Sequence, residues 1–172
     1  MKNNINIVML GDSLTARGEW KILLEDESIV NLGSDGNTTK DILQRLDVVV
    51  DLEPKKVFFM AGVNDMNLSI SLDEVFENYR IIIESLIEAK VTPIVQLTLY
   101  TTMPAINKKV TLFNEMVVNY CEKNAITVVN LNESFVDEQG LLRQDLTTDG
   151  LHLGQKAYKA WAYKIKQIKS IF

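Results

Sequence analysis

The chain has 172 residues, of which 47% are hydrophobic and 24% are charged. This length is typical of one globular domain, and the composition excludes intrinsic disorder and a collagen-like repeat. The net charge of −5 disfavours nucleic-acid binding, which needs a basic surface. The single cysteine, Cys121, excludes an intrachain disulfide, and the single histidine, His152, excludes a metal site with two imidazoles. We therefore expect one domain over residues 1–172.

The N-terminal sequence shows no targeting or membrane signal. Its apolar run, Ile7 to Leu10, is too short for the hydrophobic core of a secretion signal. No segment approaches the roughly 20 apolar residues that cross a bilayer. We predict a cytoplasmic protein without stable membrane insertion.

Five short apolar runs predict the strands of a parallel sheet. Most of them are rich in Val and Ile and apolar on both faces, as is typical of strands that are covered on both sides. Helical segments separate them, which predicts an α/β fold, and right-handed crossovers favour the strand order 2-1-3-4-5. The runs cover residues 5–10, 28–32, 57–61, 93–99 and 126–131.

Helical periodicity is strongest after Ser71. Ser71 and Glu74 have the spacing of a capping box, and apolar residues follow at helical spacing as far as Ile87. Similar stripes predict helices around residues 113–121 and 158–168, with shorter candidates at 19–24 and 38–46. Cys121 lies on one of these stripes, and we expect a buried, unreactive thiol.

In the 2-1-3-4-5 order, a crevice opens between strands 1 and 3 at their carboxyl ends. The loop after strand 1 begins with Gly11-Asp12-Ser13, and the loop after strand 3 contains Gly62-Val63-Asn64-Asp65. A serine at such a turn is a candidate nucleophile, because its hydroxyl can face the crevice. The alternative is that Ser13 is an ordinary helix N-cap.

Asp149 and His152 are candidate partners of Ser13. A serine nucleophile needs a general base that a third group holds in one tautomer. A turn over Asp149-Gly150-Leu151-His152 would let the carboxylate meet Nδ1 and leave Nε2 for the Ser13 hydroxyl. Gly33 and Asn64 follow strands 2 and 3 and are candidate oxyanion donors with the Ser13 N–H. Taken singly, each of these elements is also common in ordinary loops and turns.

Together and in this order, the elements resemble the GDSL or SGNH hydrolases. Gly11-Asp12-Ser13-Leu14 is similar to the family's first block, which carries the nucleophile. The segment from Asn31 to Gly36 is similar to the second block, with Gly33 at the oxyanion-donor position. Gly62-Val63-Asn64-Asp65 is similar to the third block, and the segment from Asp149 to Leu153 to the last. The chain most resembles short bacterial acylhydrolases similar to the catalytic subunits of platelet-activating-factor acetylhydrolase.

The resemblance implies a flavodoxin-like three-layer α/β/α sandwich with a five-stranded sheet. It also implies a serine esterase that forms an acyl-serine and uses no metal or organic cofactor. Ser13 is then the nucleophile, His152 the base and Asp149 the group that orients it, with Ser13, Gly33 and Asn64 forming the oxyanion hole. The expected partner is a small ester with a short acyl chain, because the chain leaves little length for a lid.

The sequence also suggests three substrate contacts and leaves other functions open. Tyr100 and Met103 follow strand 4, and Leu151 precedes His152, although all three are equally explained as core-covering residues. Other candidate activities are lysophospholipase, thioesterase and carbohydrate O-deacetylase. Candidates that are not enzymes are a binding module and a receiver-like domain in which Asp12 and Asp65 form an acidic cluster. In the hydrolase interpretation, these two aspartates shape their loops through hydrogen bonds. The sequence does not specify an oligomeric state.

Overall fold

Strands and helices alternate along the chain in the computed structural model, which describes residues 5–169. The strands are β1 Ile7–Gly11, β2 Ile29–Gly33, β3 Lys56–Met60, β4 Thr92–Gln96 and β5 Thr127–Val129. The helices are α1 Ser13–Ala16, α2 Trp20–Leu24, α3 Thr39–Gln44, α4 Leu46–Asp51, α5 Val63–Asn67, α6 Leu72–Glu88, α7 Pro104–Lys123, α8 Asn132–Phe135 and α9 Gln155–Lys169.

The five strands form one parallel sheet in the order β2-β1-β3-β4-β5, which confirms the predicted order. β1 pairs with both β2 and β3, so that Gly11 lies opposite Gly33 on one side and Met60 on the other. The carboxyl ends of these three strands therefore meet at one edge of the sheet. The loops that leave this edge carry the candidate functional residues.

Helices cover both faces of the sheet, which confirms the three-layer sandwich. Ile7 and Met9 of β1 face the core under α1, α2, α8 and α9, whereas Val8 and Leu10 face the core under α3, α4, α6 and α7. This alternation follows from the two-residue period of a strand. Cys121 is fully buried in the second core, as predicted. None of the helices within residues 5–169 has the length and apolar character of a membrane span.

Aromatic residues attach α9 to the sheet and to α1. Trp20, Tyr158 and Trp161 are buried against one another. The Trp161 indole N–H donates to Gln96 in β4, and the Tyr158 hydroxyl donates to the Leu14 carbonyl at 2.8 Å. The second bond fixes the backbone immediately after Ser13.

β4 and β5 end before their predicted apolar runs do, at Gln96 and Val129. Residues 97–99 stay buried after β4 ends. At Thr98, side-chain amides replace the strand ladder, because Asn114 bonds both its N–H and its carbonyl, and Asn132 also bonds the carbonyl. The apolar run correctly predicted that residues 97–99 are buried. These residues do not continue the strand, because side-chain amides take up the backbone hydrogen bonds of Thr98.

The predicted helix over residues 38–46 is two helices. Thr38 caps α3, and Thr38 and Asp41 form the reciprocal bonds of a capping box. α3 ends at Gln44, and Arg45, with φ −115° and ψ 19°, separates it from α4. At α6, Ser71 accepts the Glu74 N–H, which confirms Ser71 as the N-cap, but the Glu74 side chain does not form the reciprocal bond of the predicted capping box. The short helices α1, α5 and α8 span too few residues to show helical periodicity.

Candidate active site

Ser13 lies where β1 passes into α1. Asp12 caps this helix by accepting the Leu14 N–H at 2.9 Å, which confirms that Asp12 shapes the loop through backbone hydrogen bonding. Ser13 is the first helical residue and is 5% exposed. Its N–H has no hydrogen-bond partner among the residues the structure describes. A free N–H at a helix start favours a negatively charged oxygen.

Ser13, His152 and Asp149 form a hydrogen-bonded series. Ser13 Oγ lies 3.2 Å from His152 Nε2, and His152 Nδ1 lies 2.6 Å from Asp149 Oδ2. Hydrogen bonds from the His152 side chain and from backbone N–H groups hold the pKa of Asp149 well below its usual range. An ionised carboxylate only accepts hydrogen bonds, so Nδ1 carries the proton. In a neutral imidazole with this tautomer, the Nε2 lone pair faces the Ser13 hydroxyl.

Several backbone contacts hold the loop that carries His152. Asp149 Oδ1 accepts the His152 N–H at 2.7 Å, and Thr147 Oγ1 donates to the His152 carbonyl at the same distance. Gly150 has φ +91°, and a Cβ there would lie 2.2 Å from Thr102 Oγ1. The Gly150 carbonyl accepts the Thr102 N–H at 2.9 Å. The loop is therefore bonded to the segment between β4 and α7.

Asn64 and Asp65 lie in the first turn of α5. Asn64 Nδ2 donates to the Asn37 carbonyl at 2.9 Å, which fixes the orientation of the amide. An amide nitrogen has two hydrogens, so one remains for another acceptor. Asp65 is fully buried and accepts the N–H and the hydroxyl of Thr39. It bonds backbone as predicted, but the backbone belongs to α3, so that Asp65 joins α5 to α3. Burial raises the pKa of Asp65.

Gly33 lies at the end of β2, at the predicted edge of the sheet, but its N–H already has a hydrogen-bond partner. Its N–H donates to Asn31 Oδ1 at 2.9 Å and is not free for an oxyanion. A Cβ at Gly33 would lie 2.2 Å from the Ala16 nitrogen, so this position needs glycine for close packing against α1. Gly33 contributes packing rather than a free donor in this structure.

Gly36, three residues later, has a free N–H, which the sequence analysis missed. Gly36 has φ +74°, and its N–H has no hydrogen-bond partner within the described part of the chain. The next residue, Asn37, bonds Asn64 through its carbonyl. The same motif block contains both Gly33 and Gly36, and its sequence does not show which N–H is free.

The three predicted substrate contacts lie in different places. Leu151 is half-buried between Asp149 and His152, and Met103 is 40% exposed, next to the Thr102 segment that bonds Gly150. Tyr100 instead donates to or accepts from Thr111 at 3.0 Å and lines a cavity of about 450 Å³ between α7 and α8. The wall of that cavity contains no triad residue. The prediction for Tyr100 is therefore not supported by its position.

Asp12 is a buried carboxyl beside this site. It is 1% exposed, and its Oδ2 is buried without a partner among the described residues. Burial raises the pKa of Asp12 to about 7, and the nearby Asp65 contributes in the same direction. No cluster of three or more His, Cys, Asp or Glu side chains suited to a metal occurs within residues 5–169.

Comparison with known proteins identifies the family. The model of the GDSL-like lipase/acylhydrolase family matches residues 9–160. The chain belongs to this family. The resemblance in the four motif blocks is thereby confirmed, and the coarse activity class is that of GDSL-like acylhydrolases and esterases.

Solved GDSL structures have the same fold. A GDSL-like lipase from Bacteroides thetaiotaomicron is 24% identical, with a TM-score of 0.89, over 100% of this chain and 91% of that one. A Streptococcus pneumonia protein provisionally called a platelet activating factor is 25% identical, with a TM-score of 0.82, over 95% of this chain and 83% of that one.

A curated relative has another name. The N-acylneuraminate cytidylyltransferase of Streptococcus agalactiae is 29% identical over 154 residues, which are 87% of this chain and 35% of that protein. The chain thus spans about a third of the length of the curated relatives it matches.

Proposed function

We propose that this protein is a serine esterase that hydrolyses small or short-chain carboxylic esters through an acyl-Ser13 intermediate. The observation that carries the proposal is the hydrogen-bonded series Ser13 Oγ–His152–Asp149, with distances of 3.2 and 2.6 Å. These lie at or near hydrogen-bond length, as a nucleophile, its base and the group that orients the base require.

Acylation starts with proton transfer from Ser13 Oγ to His152 Nε2. The serine oxygen forms a bond to the ester carbonyl carbon, and the carbonyl oxygen becomes an oxyanion. Asp149 remains ionised and stabilises the cationic imidazole. His152 then gives its proton to the departing alkoxide as the bond to the alcohol breaks. In the second half, His152 Nε2 takes a proton from water, and the water oxygen forms a bond to the acyl carbon. The bond between Ser13 Oγ and the acyl carbon then breaks, and His152 gives its proton back to Ser13 Oγ, which releases the acid and restores the serine.

Three donors are proposed for the oxyanion. The free Ser13 N–H and the second Asn64 amide hydrogen follow the sequence prediction. The Gly36 N–H replaces that of Gly33, because Asn31 already occupies the Gly33 N–H at 2.9 Å. Loss of one donor of this kind typically lowers turnover by about 100- to 1,000-fold.

Met103 and Leu151 are the proposed contacts to the substrate. Both lie on or beside the loop that holds His152, and both are accessible to a ligand, since Met103 is 40% exposed and Leu151 is half-buried. Such apolar groups suit the short hydrocarbon part of an ester.

The alternative of a receiver-like domain is disfavoured by the position of Asp12. A phosphoacceptor carboxylate must be reachable by the phosphodonor. Asp12 is 1% exposed, and its Oδ1 accepts the Leu14 N–H. The side chain thus has a capping role and is not presented to a ligand.

Carbohydrate O-deacetylation is a second candidate. It is favoured by the similarity of this chain to one part of proteins named for an N-acylneuraminate. An acetyl ester on a sugar is a short-chain ester, and the same Ser13 chemistry would release acetate from it. The two candidates differ in the alcohol that the site accepts.

The test is hydrolysis of p-nitrophenyl esters from acetate to decanoate, together with acetate release from an O-acetylated N-acylneuraminate. We expect turnover by the wild type, highest with the shortest chains, and a loss of about 1,000-fold or more in Ser13→Ala. Ser134→Ala is the matched control, because Ser134 lies in α8, outside the proposed site, and its hydroxyl bonds the Leu131 carbonyl at the start of that helix.

Equal activity in wild type and Ser13→Ala would exclude Ser13 as the nucleophile. Equal inactivity, with no labelling of Ser13 by a fluorophosphonate, would favour a binding module. A much higher kcat/KM for the acetylated sugar than for p-nitrophenyl acetate would favour the deacetylase.

A further inference from the structure

Arg45 connects two of the loops at the candidate active site. It lies between α3 and α4, and its side chain reaches back towards the sheet edge. Its Nε donates to Asn37 Oδ1 at 2.8 Å, and its Nη2 donates to the Gly11 carbonyl at 3.1 Å. The Gly11 carbonyl also accepts the Ser34 N–H at 3.1 Å. One guanidinium therefore holds the end of β1 and the loop after β2.

Both partners of Arg45 are closely connected to the proposed oxyanion donors, Gly11 through the chain and Asn37 through a hydrogen bond. Gly11 precedes Ser13 by two residues at the end of β1. The side chain of Asn37 accepts from Arg45, whereas its backbone carbonyl accepts from Asn64 Nδ2 at 2.9 Å. Asn37 therefore connects Arg45 to the Asn64 amide through two hydrogen bonds, and a shift of Arg45 would move both residues. The N–H of Gly36 belongs to the same short loop.

The partners of Arg45 are unusual for a guanidinium. Arginine side chains away from solvent are commonly paired with carboxylates in a bidentate manner. Arg45 directs its hydrogen bonds to two neutral oxygens instead, one from a backbone carbonyl and one from an amide. Burial lowers the pKa of Arg45, and the nearby Asp41 acts in the opposite direction. Because the guanidinium is planar and rigid, its two N–H donors fix the relative position of two acceptors that are far apart in sequence.

We propose that Arg45 is a positioning residue for the oxyanion hole. It holds the Gly11 end of β1 and the loop over residues 34–37 so that the Ser13 N–H, the Gly36 N–H and the Asn64 amide converge on one point. This inference rests on the proposed esterase function and adds a residue outside the four motif blocks.

The proposal predicts a loss in turnover rather than in substrate binding. Oxyanion donors bind the transition state more strongly than the ester, so their misplacement lowers kcat and leaves KM nearly unchanged. We expect kcat to fall about 10- to 100-fold in Arg45→Met, which keeps the length of the side chain and removes both donors. Arg45→Lys should recover only part of the loss, because an ammonium does not reproduce the fork.

The experiment measures kcat, KM and melting temperature for wild type, Arg45→Met, Arg45→Lys and Arg45→Ala with p-nitrophenyl acetate. Guanidinium chloride at low concentration is added to Arg45→Ala, and partial recovery of kcat is expected. Arg80→Met is the matched control, because Arg80 pairs with Glu77 and Glu84 on the surface of α6. An unchanged kcat in folded Arg45→Met overturns the proposal. The proposal is also overturned if the fall in kcat equals the fall in the amount of folded protein and neither Arg45→Lys nor added guanidinium restores kcat.

A spectroscopic measurement separates this proposal from the esterase function. If wild type and Ser13→Ala are equally inactive, the esterase proposal fails, and the side-chain amide resonances of Asn64 then decide the role of Arg45. They should shift in Arg45→Met and stay in place in Arg80→Met. Unchanged Asn64 resonances in folded Arg45→Met would overturn the positioning role whether or not the protein is an esterase.

Discussion

Asp12, which directly precedes Ser13, is a carboxyl whose environment opposes its ionisation. It is 1% exposed, and its Oδ2 is buried without a partner among the described residues. Burial raises the pKa of Asp12 from the ordinary value of 3.8 to about 7. The folded protein therefore holds this proton more tightly than the unfolded chain does.

This shift predicts how stability depends on pH. Between about pH 4 and pH 7 the folded state binds more protons than the unfolded state, so the contribution of Asp12 to the free energy of unfolding falls as pH rises. Asp12→Asn should remove that fall, and its free energy of unfolding relative to the wild type should increase across this window by an amount on the order of a few kcal/mol.

Urea unfolding of both proteins at the two ends of the window measures this change. Asp145→Asn is the control, because ion pairs with Lys156 and Arg143 lower the pKa of Asp145 to about 2. That carboxyl is ionised in the folded state across the window and largely ionised in the unfolded chain above about pH 5, so its contribution to stability changes little over most of the window. Parallel stability profiles for wild type and Asp12→Asn would show that Asp12 does not bind its proton as inferred.

Asn64 shows how a single hydrogen bond can specify a donor. The Asn37 carbonyl occupies one of its amide hydrogens at 2.9 Å, and the other remains available. Because a carbonyl only accepts hydrogen bonds, the Asn64 nitrogen rather than its oxygen must face Asn37. The orientation of the proposed oxyanion donor is thus set before substrate binds.

The element that most affects the proposed site is the loop between β2 and α3. Gly33 at its start packs against α1, and a Cβ there would lie 2.2 Å from the Ala16 nitrogen. Gly36 has open space at its Cβ position but a φ of +74°. The two glycines therefore have different physical roles within four residues.

Alanine substitutions should separate these roles. Gly33→Ala should lower the free energy of unfolding by about 1 to 3 kcal/mol or more, because the Cβ overlaps backbone atoms. Gly36→Ala should cost about 1 to 2 kcal/mol through the left-handed backbone and should lower kcat, because the shifted loop moves the proposed donor. Urea unfolding and p-nitrophenyl acetate kinetics on both variants check this. A greater kcat loss per folded molecule in Gly33→Ala would return the donor role to Gly33.

At the scale of the whole molecule, two apolar cores enclose the sheet, and the accessibility of Cys121 to a reagent would show whether one of them opens. The thiol is fully buried in the core beneath α3, α4, α6 and α7. Burial raises the pKa of Cys121 to about 11. Both effects suppress the thiolate, which is the reactive form.

We expect a thiol reagent to label Cys121 only when this core opens. The labelling rate in buffer should follow the free energy of unfolding, and labelling should be immediate in concentrated urea. Ile22→Cys provides a control, because Ile22 is 72% exposed and its cysteine should react at once in the folded protein. Rapid labelling of wild-type Cys121 in buffer would contradict the burial.

Much of the fold was predictable because its signals are local along the chain. The Val- and Ile-rich runs, the cap at Ser71 and the glycines after the strands each reflect a few neighbouring residues. Regular crossovers then restrict the sheet to the order observed. The boundaries were less predictable. Arg45 divides one predicted helix, and the amides of Asn114 and Asn132 end regular pairing near Thr98.

The sequence by itself determined the family, the strand order and the identity of Ser13, Asp149 and His152 as the candidate triad, because motif spacing and apolar periodicity are properties of the chain. Only the tertiary structure decided that the Gly33 N–H is occupied, that Gly36 has a free N–H and that Tyr100 faces a separate cavity. It also placed Arg45 against Gly11, 34 residues away. Such outcomes depend on which distant segments share a hydrogen-bond donor or acceptor, and local sequence does not encode that pairing.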